Sequence, residues 1–581
     1  MLVRFDFSDG EGTTPRYFTN AEQEVTAYQL PEVLPALQKV QDAVHKGKWA
    51  AGYLAYEAAP AFDAAMQTQR PGAMPLVHFG IFDHPAQDVW EASDSVAVGQ
   101  WQSSTSHAQY IEDIGRIKEA IFEGLTYQVN YTMRLHAALS GDDRYYYLRL
   151  LKNQRAPYCA YVDAGRYHIL SVSPELFFRI EGSRIITRPM KGTIRRGRFW
   201  QEDQALRMQL AESKKDQAEN VMIVDLLRND LGRVAGVGSV QVEELFCLEP
   251  YPTVWQMTST VTAMLSPGIT WLDVLSALFP CGSVTGAPKS STMRLIRDLE
   301  PKPRGVYCGT IGYIDPSGNA LFNVPIRTIT LDVATHRMEF GSGGGITWDS
   351  RGESEYDEVK AKAEFLDVVM PDFSLIETLR LQDGTYALRS YHMQRLQQSA
   401  QFFGFVWSAD SVAESLDNFA RDHEGQWRVR LQYSRGGQLI VEGTPFNKAM
   451  PTNRKVAWAR DPMPDADAWT FNKTTWRTRY SERHLASSNC FDHLLWNRQG
   501  EVTEFTQGNL VVVLNGRLWT PPLFVGILPG TFRQWLLEHH AICERVLTKD
   551  EVQQAEQIWF INSVRGWVPV SLVGENEECG C

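Results

Sequence analysis

A helical pattern stops at residue 371, and that break divides the chain. The stretch "SEYDEVKAKAEFLDVV", residues 354–369, is rich in good helix formers. Pro371 and Asp372 end it, and "SLIETLRLQDGTYAL" then alternates apolar and polar residues around Asp383-Gly384, the pattern of a β-hairpin. A chain of 581 residues is also too long for one core. Two parts, 1–370 and 371–581, are therefore expected.

Each part mixes helix and strand. In the first, "HILSVSPELFFRIEG", "GVYCGTIGYID" and "HRMEFGSGGGITW" read as strands, and "AENVMIVDLLRNDLGRV" reads as a long apolar helix. In the second, "QWRVRLQYS" and "LVVVLNGRLWTPP" alternate with the helical "SYHMQRLQQSAQFFGF". The expected fold class is α+β in both, with antiparallel pairing in the first.

Charge narrows the partners. The net charge of -12 and the lack of a long basic tract exclude binding of nucleic acid by phosphate neutralisation. No apolar run approaches the roughly 18 residues of a membrane span, and the first residues lack a signal-peptide pattern, so no membrane partner and a cytoplasmic location are expected. Six cysteines, Cys159, Cys247, Cys281, Cys308, Cys490 and Cys543, are scattered, which reads as reduced thiols. Cys579 and Cys581, in "EECGC", read as a frayed tail.

Three stretches of the first part carry chemistry. Glu219 stands at the start of the long helix. Glu355, Glu358 and Lys362 are spaced i, i+3 and i+7, so a helix projects them from one face. Just before them, the glycines of "GSGGGITW" allow a turn whose successive backbone N–H groups point at one anion. Carboxylates able to hold Mg²⁺ beside an anion cradle suit a small carboxylate-bearing substrate.

With "SPELF", "PMKGT", "KDQAENVMIVDLLRNDLG", "FPCGSVTGAPK", "GTIGY" and "NVPIRTI" in the same order, residues 105–367 resemble the chorismate-utilising enzymes. That group includes anthranilate, isochorismate, salicylate and aminodeoxychorismate synthases. The resemblance implies a chorismate-binding catalytic region preceded by an N-terminal subdomain over about residues 1–100. It assigns Glu219, Glu355 and Glu358 to Mg²⁺. It assigns Arg327, Lys362 and the Gly343, Gly344 and Gly345 backbone to the substrate's carboxylates, with Thr285 in a substrate-lining turn. Glu175 resembles the general acid that protonates the departing hydroxyl.

Lys191, before a Gly-Thr turn in "RPMKGTIRRG", separates the members of the group. Anthranilate synthases usually carry alanine there, whereas lysine resembles aminodeoxychorismate synthase. A lysine amine can attack C2 of chorismate and help expel the C4 hydroxyl, after which ammonia adds at C4 and releases the lysine. The amine must then be neutral, which burial and the nearby Arg188, Arg195 and Arg196 would favour.

After residue 373 the signatures change. His392 and Arg395, Lys473, Glu504 and Asn509, followed by "GILPGTFR" and "INSVRGWVPV", resemble the fold-type IV pyridoxal-phosphate enzymes over residues 373–572. The resemblance implies that Lys473 carries the cofactor's aldehyde and serves as base. Glu504 faces the pyridine nitrogen, and Arg395, Thr531 and Ser563 meet the phosphate. Thr378 matches a threonine that assists proton transfer.

The two resemblances together imply synthesis of 4-aminobenzoate, a folate precursor, from chorismate and ammonia, with Mg²⁺ and pyridoxal 5'-phosphate as cofactors. No Cys-centred glutamine amidotransferase pattern is visible, so ammonia from glutamine is expected to need a separate subunit; a homodimer through the second part fits its relatives. Two alternatives remain: an anthranilate synthase joined to an aminotransferase, or a catalytically silent second part.

Overall fold

The computed structural model describes residues 1–8, 15–87, 90, 92–93, 95–447, 454–483 and 490–573. The chain forms two compact units. The first comprises Met1–Arg195 and Arg207–Met370. The second runs from Pro371 and also takes in Arg196–Leu206, which departs from a simple division at residue 370. That segment is held to the rest of the second unit by Arg196, which donates to the Phe402 carbonyl at 2.8 Å, and by Phe199 against Phe471.

The first unit is built from two large antiparallel sheets. One runs through Gln128–Gly141, Arg337–Ile346, Thr328–Asp332, Tyr167–Ser173, Tyr158–Ala164 and Leu2–Phe7. The other runs through Met190–Arg195, Val254–Met264, Arg184–Arg188, Leu176–Glu181, Ala320–Asn323 and Thr310–Ile314. Apolar side chains of both meet in one core, with Phe5, Val162 and Ile169 from the first sheet against Leu176, Ile311 and Tyr313 from the second. Burying such faces on each other is the main drive for this layering.

Helices cover the outer faces. Lys214–Gly232 is capped by Ser213, whose hydroxyl accepts from the Asp216 N–H, and it buries Ile223, Val224, Leu227 and Leu231. Gly352–Ala361 carries the second acidic cluster and stops well before Pro371, with only a single 3₁₀ turn, Glu364–Leu366, between them.

The second unit holds a four-stranded antiparallel sheet and a mixed eight-stranded sheet. Leu375–Gln382 pairs with Thr385–Tyr386 through Asp383 and Gly384, both at positive φ, so the expected hairpin forms with the turn that Asp-Gly favours. In the mixed sheet Lys455–Trp458 runs parallel to Asp492–Trp496 and to Gly566–Leu572. Of the six scattered cysteines, five are free thiols, but Cys490 is disulfide-bonded, against expectation. The Cys579 and Cys581 tail lies outside the described residues. Among the described residues, no helix is long and apolar enough to cross a membrane.

One polar cluster ties a helix to the first sheet. His168 lies 2.7 Å from Asp143, in the helix Asp143–Gln154, and 3.2 Å from Asp163. Burial opposes its protonation, but the two carboxylates outweigh burial and raise its pKa to about 9. The stabilisation is therefore complete below the unfolded pKa near 6.5 and fades as pH rises through about 9. His168→Asn should cost on the order of 1–3 kcal/mol at pH 6 and clearly less at pH 9.5, read from urea midpoints of both proteins at each pH.

Candidate functional site

The amine of Lys191 is aimed by a bulge. Met190 pairs with Thr258 and Thr193 with Gln256, so Lys191 and Gly192 occupy the space of one partner residue. Gly192 takes φ 92°, and a Cβ there would stand 2.9 Å from the Asp216 side chain. The glycine is thus required by conformation and by space. The expected Gly-Thr turn is a bulged strand, and Lys191 is only 8% exposed.

A cavity of about 120 Å³ surrounds that amine. Its Nζ donates to the Ser283 carbonyl at 2.9 Å. Burial is the main cause lowering its pKa, against the raising influence of Glu219 and Glu175, and the facing cation is Lys362. Arg188 and Arg196 are occupied elsewhere, by Glu249 at 2.5 Å and by Asp203. The expected burial therefore acts on the amine, while Arg188 and Arg196 are engaged with other carboxylates.

Glu175 precedes the strand Leu176–Glu181, beside a register shift between Leu176 and Phe178. It is 2% exposed, its Oε1 has no hydrogen-bond partner, and burial pushes its pKa up to about 7 despite Ser283 and Lys191. A carboxyl group that is half protonated near neutrality can give a proton to a leaving oxygen.

The opposite wall consists of glycine. Gly343, Gly344 and Gly345 lie in the extended strand Arg337–Ile346, paired with Thr132, Tyr131 and Asn130, and none has positive φ. They form a strand and not the expected turn, paired along one edge with Gln128–Gly141, while the pairing with Thr328–Asp332 on the other edge ends at Phe340. Space explains Gly343 and Gly345. A Cβ on Gly343 would meet the Tyr131 carbonyl at 2.2 Å, and one on Gly345 would meet the Gln128 amide at 2.0 Å and the Lys191 Nζ at 3.1 Å.

Glu219, Glu355 and Glu358 also line this cavity. Burial raises Glu219 to about 7 and also raises Glu355, whose neighbour Glu358 adds to the effect. Glu358 stays low because Lys362, 2.7 Å away, outweighs its burial. Lys215 stands between the others, 3.8 Å from Glu219 and 3.5 Å from Glu355. Among the described residues no three carboxylates come close enough to enclose a metal by themselves. Mg²⁺, however, is usually held by one or two carboxylates together with water and substrate oxygens. The lining holds five carboxylates against four cations, so an entering dianion leaves negative charge in excess. The donor set therefore fits a hard divalent cation.

Arg327 lines the cavity as expected; it is buried, bonded to Gln154, and lies over the Tyr251 ring. Lys362 donates to the Gly343 carbonyl at 2.9 Å. Thr285 is turned away, its hydroxyl 3.2 Å from the carbonyls of Cys281 and Gly282, so Ser283 faces the cavity in its place. Gln128 was not anticipated. It is fully buried and neither its amide oxygen nor its nitrogen has a partner. A buried glutamine gives no periodic or charge signal by which a sequence would reveal it.

The second unit has its own cavity, of about 940 Å³, lined by Thr378, Arg395, Lys473, Glu504, Thr531 and Ser563. All six residues singled out there thus share one space, large enough for a cofactor and a substrate together. Lys473 lies 3.4 Å from the Thr378 hydroxyl, and burial, aided by Arg395, pushes its pKa down to about 7. Glu504 accepts from the Tyr480 hydroxyl, the Leu528 N–H and the Asn509 amide, and burial raises it to about 8.

Arg395 is less free than expected. Its Nε and Nη2 donate to Glu377 at 2.8 and 2.6 Å and its Nη1 to the Pro529 carbonyl. Glu377 also meets His392, which reaches the Thr531 hydroxyl at 3.3 Å. The phosphate role read for Arg395 can use only the donors that remain, since a guanidinium has five N–H groups. Ser563 lies 3.4 Å from the Thr378 carbonyl.

The comparisons with known proteins follow this division. Residues 4–367 match the chorismate binding enzyme family, and the chain belongs to it. Residues 374–573 match the class IV amino-transferase family, so the chain joins a chorismate-binding region to a fold-type IV region. Aminodeoxychorismate synthase component 1 of Escherichia coli (strain K12) is 45% identical over 265 residues, 46% of this chain and 58% of that protein. Anthranilate synthase component 1 of Aquifex aeolicus (strain VF5) is 40% identical over 269 residues, 46% of this chain and 53% of that protein. The chain thus spans little more than half the length of these relatives. The crystal structure of anthranilate synthase component I from Streptococcus pneumoniae TIGR4 superposes with a TM-score of 0.52 at 25% identity, covering 63% of this chain and 89% of that one.

The state of Lys473 is open to direct test. A neutral amine is needed to condense with an aldehyde, so uptake of added pyridoxal phosphate, followed by its absorption, should accelerate with pH up to about 7 and level off above it. Uptake that does not vary between pH 5.5 and 8.5 would contradict the burial argument.

Proposed function

We propose that the chain converts chorismate and ammonia to 4-amino-4-deoxychorismate in its first unit and releases 4-aminobenzoate and pyruvate in its second. The observation that carries this reading is Lys191, aimed by its bulge into a cavity that also holds the protonatable Glu175. Identity with relatives does not decide the matter, because synthases making the 4-amino and 2-amino products match to similar degrees. The lysine does.

The neutral Lys191 amine attacks C2 of chorismate, and Glu175 gives its proton to the C4 hydroxyl, which departs as water. Ammonia then adds at C4, the bond from C2 to the lysine nitrogen breaks, and Glu175 recovers a proton. Arg327 and Lys362 orient the substrate's carboxylates. A Mg²⁺ held by Glu219, Glu355 and Glu358 would supply the positive charge that a ring carboxylate lacks among these acidic residues. The name component 1, carried by the relatives, supports a separate amidotransferase partner that delivers ammonia from glutamine.

In the second unit, pyridoxal phosphate supplies an electron sink when bound. Lys473 takes the proton from C4, with the Thr378 hydroxyl 3.4 Å away to relay it. Glu504 is positioned by Tyr480, Asn509 and the Leu528 N–H to hold a proton at a pyridine nitrogen. Loss of the C4 proton and expulsion of the enolpyruvyl group as pyruvate leave an aromatic ring.

Chromatography of products after incubation with chorismate, Mg²⁺, ammonium and pyridoxal phosphate tests both halves. Equal yields of 4-aminobenzoate and pyruvate are expected. Lys191→Ala should abolish both, and Glu175→Gln should slow the first step on the order of 10²–10⁴-fold. Formation of 2-aminobenzoate by the unaltered chain would overturn the reading. Gly345→Ala, which drives a methyl group against Gln128 and Lys191, should lower chorismate turnover about 10²-fold while the circular dichroism stays unchanged.

A further inference from the structure

The cavity of the second unit holds more positive charge than one cofactor phosphate and one substrate carboxylate account for. Its lining contains Arg395, Arg428, Arg430, Lys473, Arg477 and Arg565 against two carboxylates, Asp492 and Glu504. Asp492 is absorbed locally by Thr506 and by the N–H groups of His493 and Gln507. Arg395 is held by Glu377, and Arg477 donates to the Thr506 carbonyl and lies over the Tyr480 ring.

Arg428 and Arg430 differ from these. They stand two residues apart in the strand Gln426–Tyr433, so both project from the same face of the sheet, the face that lines the cavity. Among the described residues neither side chain has a hydrogen-bond or ion-pair partner, in a chain whose net charge is -12. Glu442 is opposite Arg430 in the next strand yet makes no ion pair with it. On the other side, Arg430 is opposite Thr378, whose hydroxyl is the neighbour of the Lys473 amine. The pair therefore stands on the side of the reacting amine, whereas Thr531 belongs to the Glu377, His392 and Arg395 network.

We propose that Arg428 and Arg430 form a carboxylate-recognition site that selects a dicarboxylate amine over an amino acid with one carboxylate. A guanidinium fork grips a carboxylate with two parallel hydrogen bonds, and two such forks side by side match two anionic groups. The proposal rests on the lyase reading of the second unit and narrows its substrate class, since 4-amino-4-deoxychorismate carries two carboxylates.

The test uses the full chain loaded with pyridoxal phosphate, without ammonium. 4-Amino-4-deoxychorismate is the substrate, chorismate the dicarboxylate that lacks an amine, and benzoate the monocarboxylate control. Arg428→Met and Arg430→Met should each raise the KM for 4-amino-4-deoxychorismate and the inhibition constant of chorismate about tenfold or more. Benzoate inhibition and cofactor affinity should stay as they were, and Arg430→Lys should restore part of the loss. Unchanged constants for both dicarboxylates would overturn the proposal, as would a loss of cofactor affinity, which would assign the arginines to the phosphate. Should the unaltered chain fail to turn over 4-amino-4-deoxychorismate, the lyase reading falls. Chorismate binding, read from its perturbation of the cofactor absorption, would then support the proposal if it depends on the arginines and overturn it if it does not.

Discussion

The site of the first unit depends on a strand without side chains. Gly343, Gly344 and Gly345 are paired along their length, so their backbone is fixed, and the absence of Cβ atoms lets Gln128, Lys191 and Glu355 close on one small space. Beside Gly344 a methyl group would still fit, 3.5 Å from Glu355, whereas beside Gly345 it would strike Gln128 and crowd Lys191. The strand acts as a flat floor. The second device, the bulge at Lys191 and Gly192, matters only because that floor is there, since a bulge re-aims a side chain and does not create room for it.

Burial follows from this crowding and tunes two groups in opposite senses. A buried amine gives up its proton more easily and a buried carboxyl group keeps its own longer. Lys191 is lowered and Glu175 is raised by the same cause. The second unit repeats the pattern with Lys473 at about 7 and Glu504 at about 8. In each case hydrogen bonds and neighbouring charges adjust the value, but burial is the largest contribution.

Much of this was legible in the sequence and some was not, for physical reasons. The Asp383-Gly384 hairpin is a local event, fixed by two residues that accept positive φ, and it forms as expected. The long helix was legible from its apolar pattern, but it starts at Lys214 after a Ser213 cap and not at Glu219, which lies in its second turn. A run of glycines is ambiguous, because the same residues serve a turn that needs positive φ and a strand that needs empty space; only the partner strand decides between them. Thr285 illustrates the same limit, for its neighbour Ser283 is the one that faces the cavity. Glu377 and Gln128 were not identified as site residues because their importance lies in a partner, or its lack, brought from far along the chain. The inclusion of Arg196–Leu206 in the second unit rests on long-range packing of that kind.

The two cavities differ most in charge. The first lines its small space with five carboxylates and four cations, a surface that repels a dianion unless a metal ion enters with it. The second offers six cations and two carboxylates, a surplus that attracts anions without any metal. In the first, burial raises Glu175 and Glu219. In the second, burial is the main cause lowering Lys473, and Arg395, Arg477 and Arg428 add to it. Burial thus favours the neutral form of Glu175 in the one cavity and of Lys473 in the other, under surrounding charge of opposite sign.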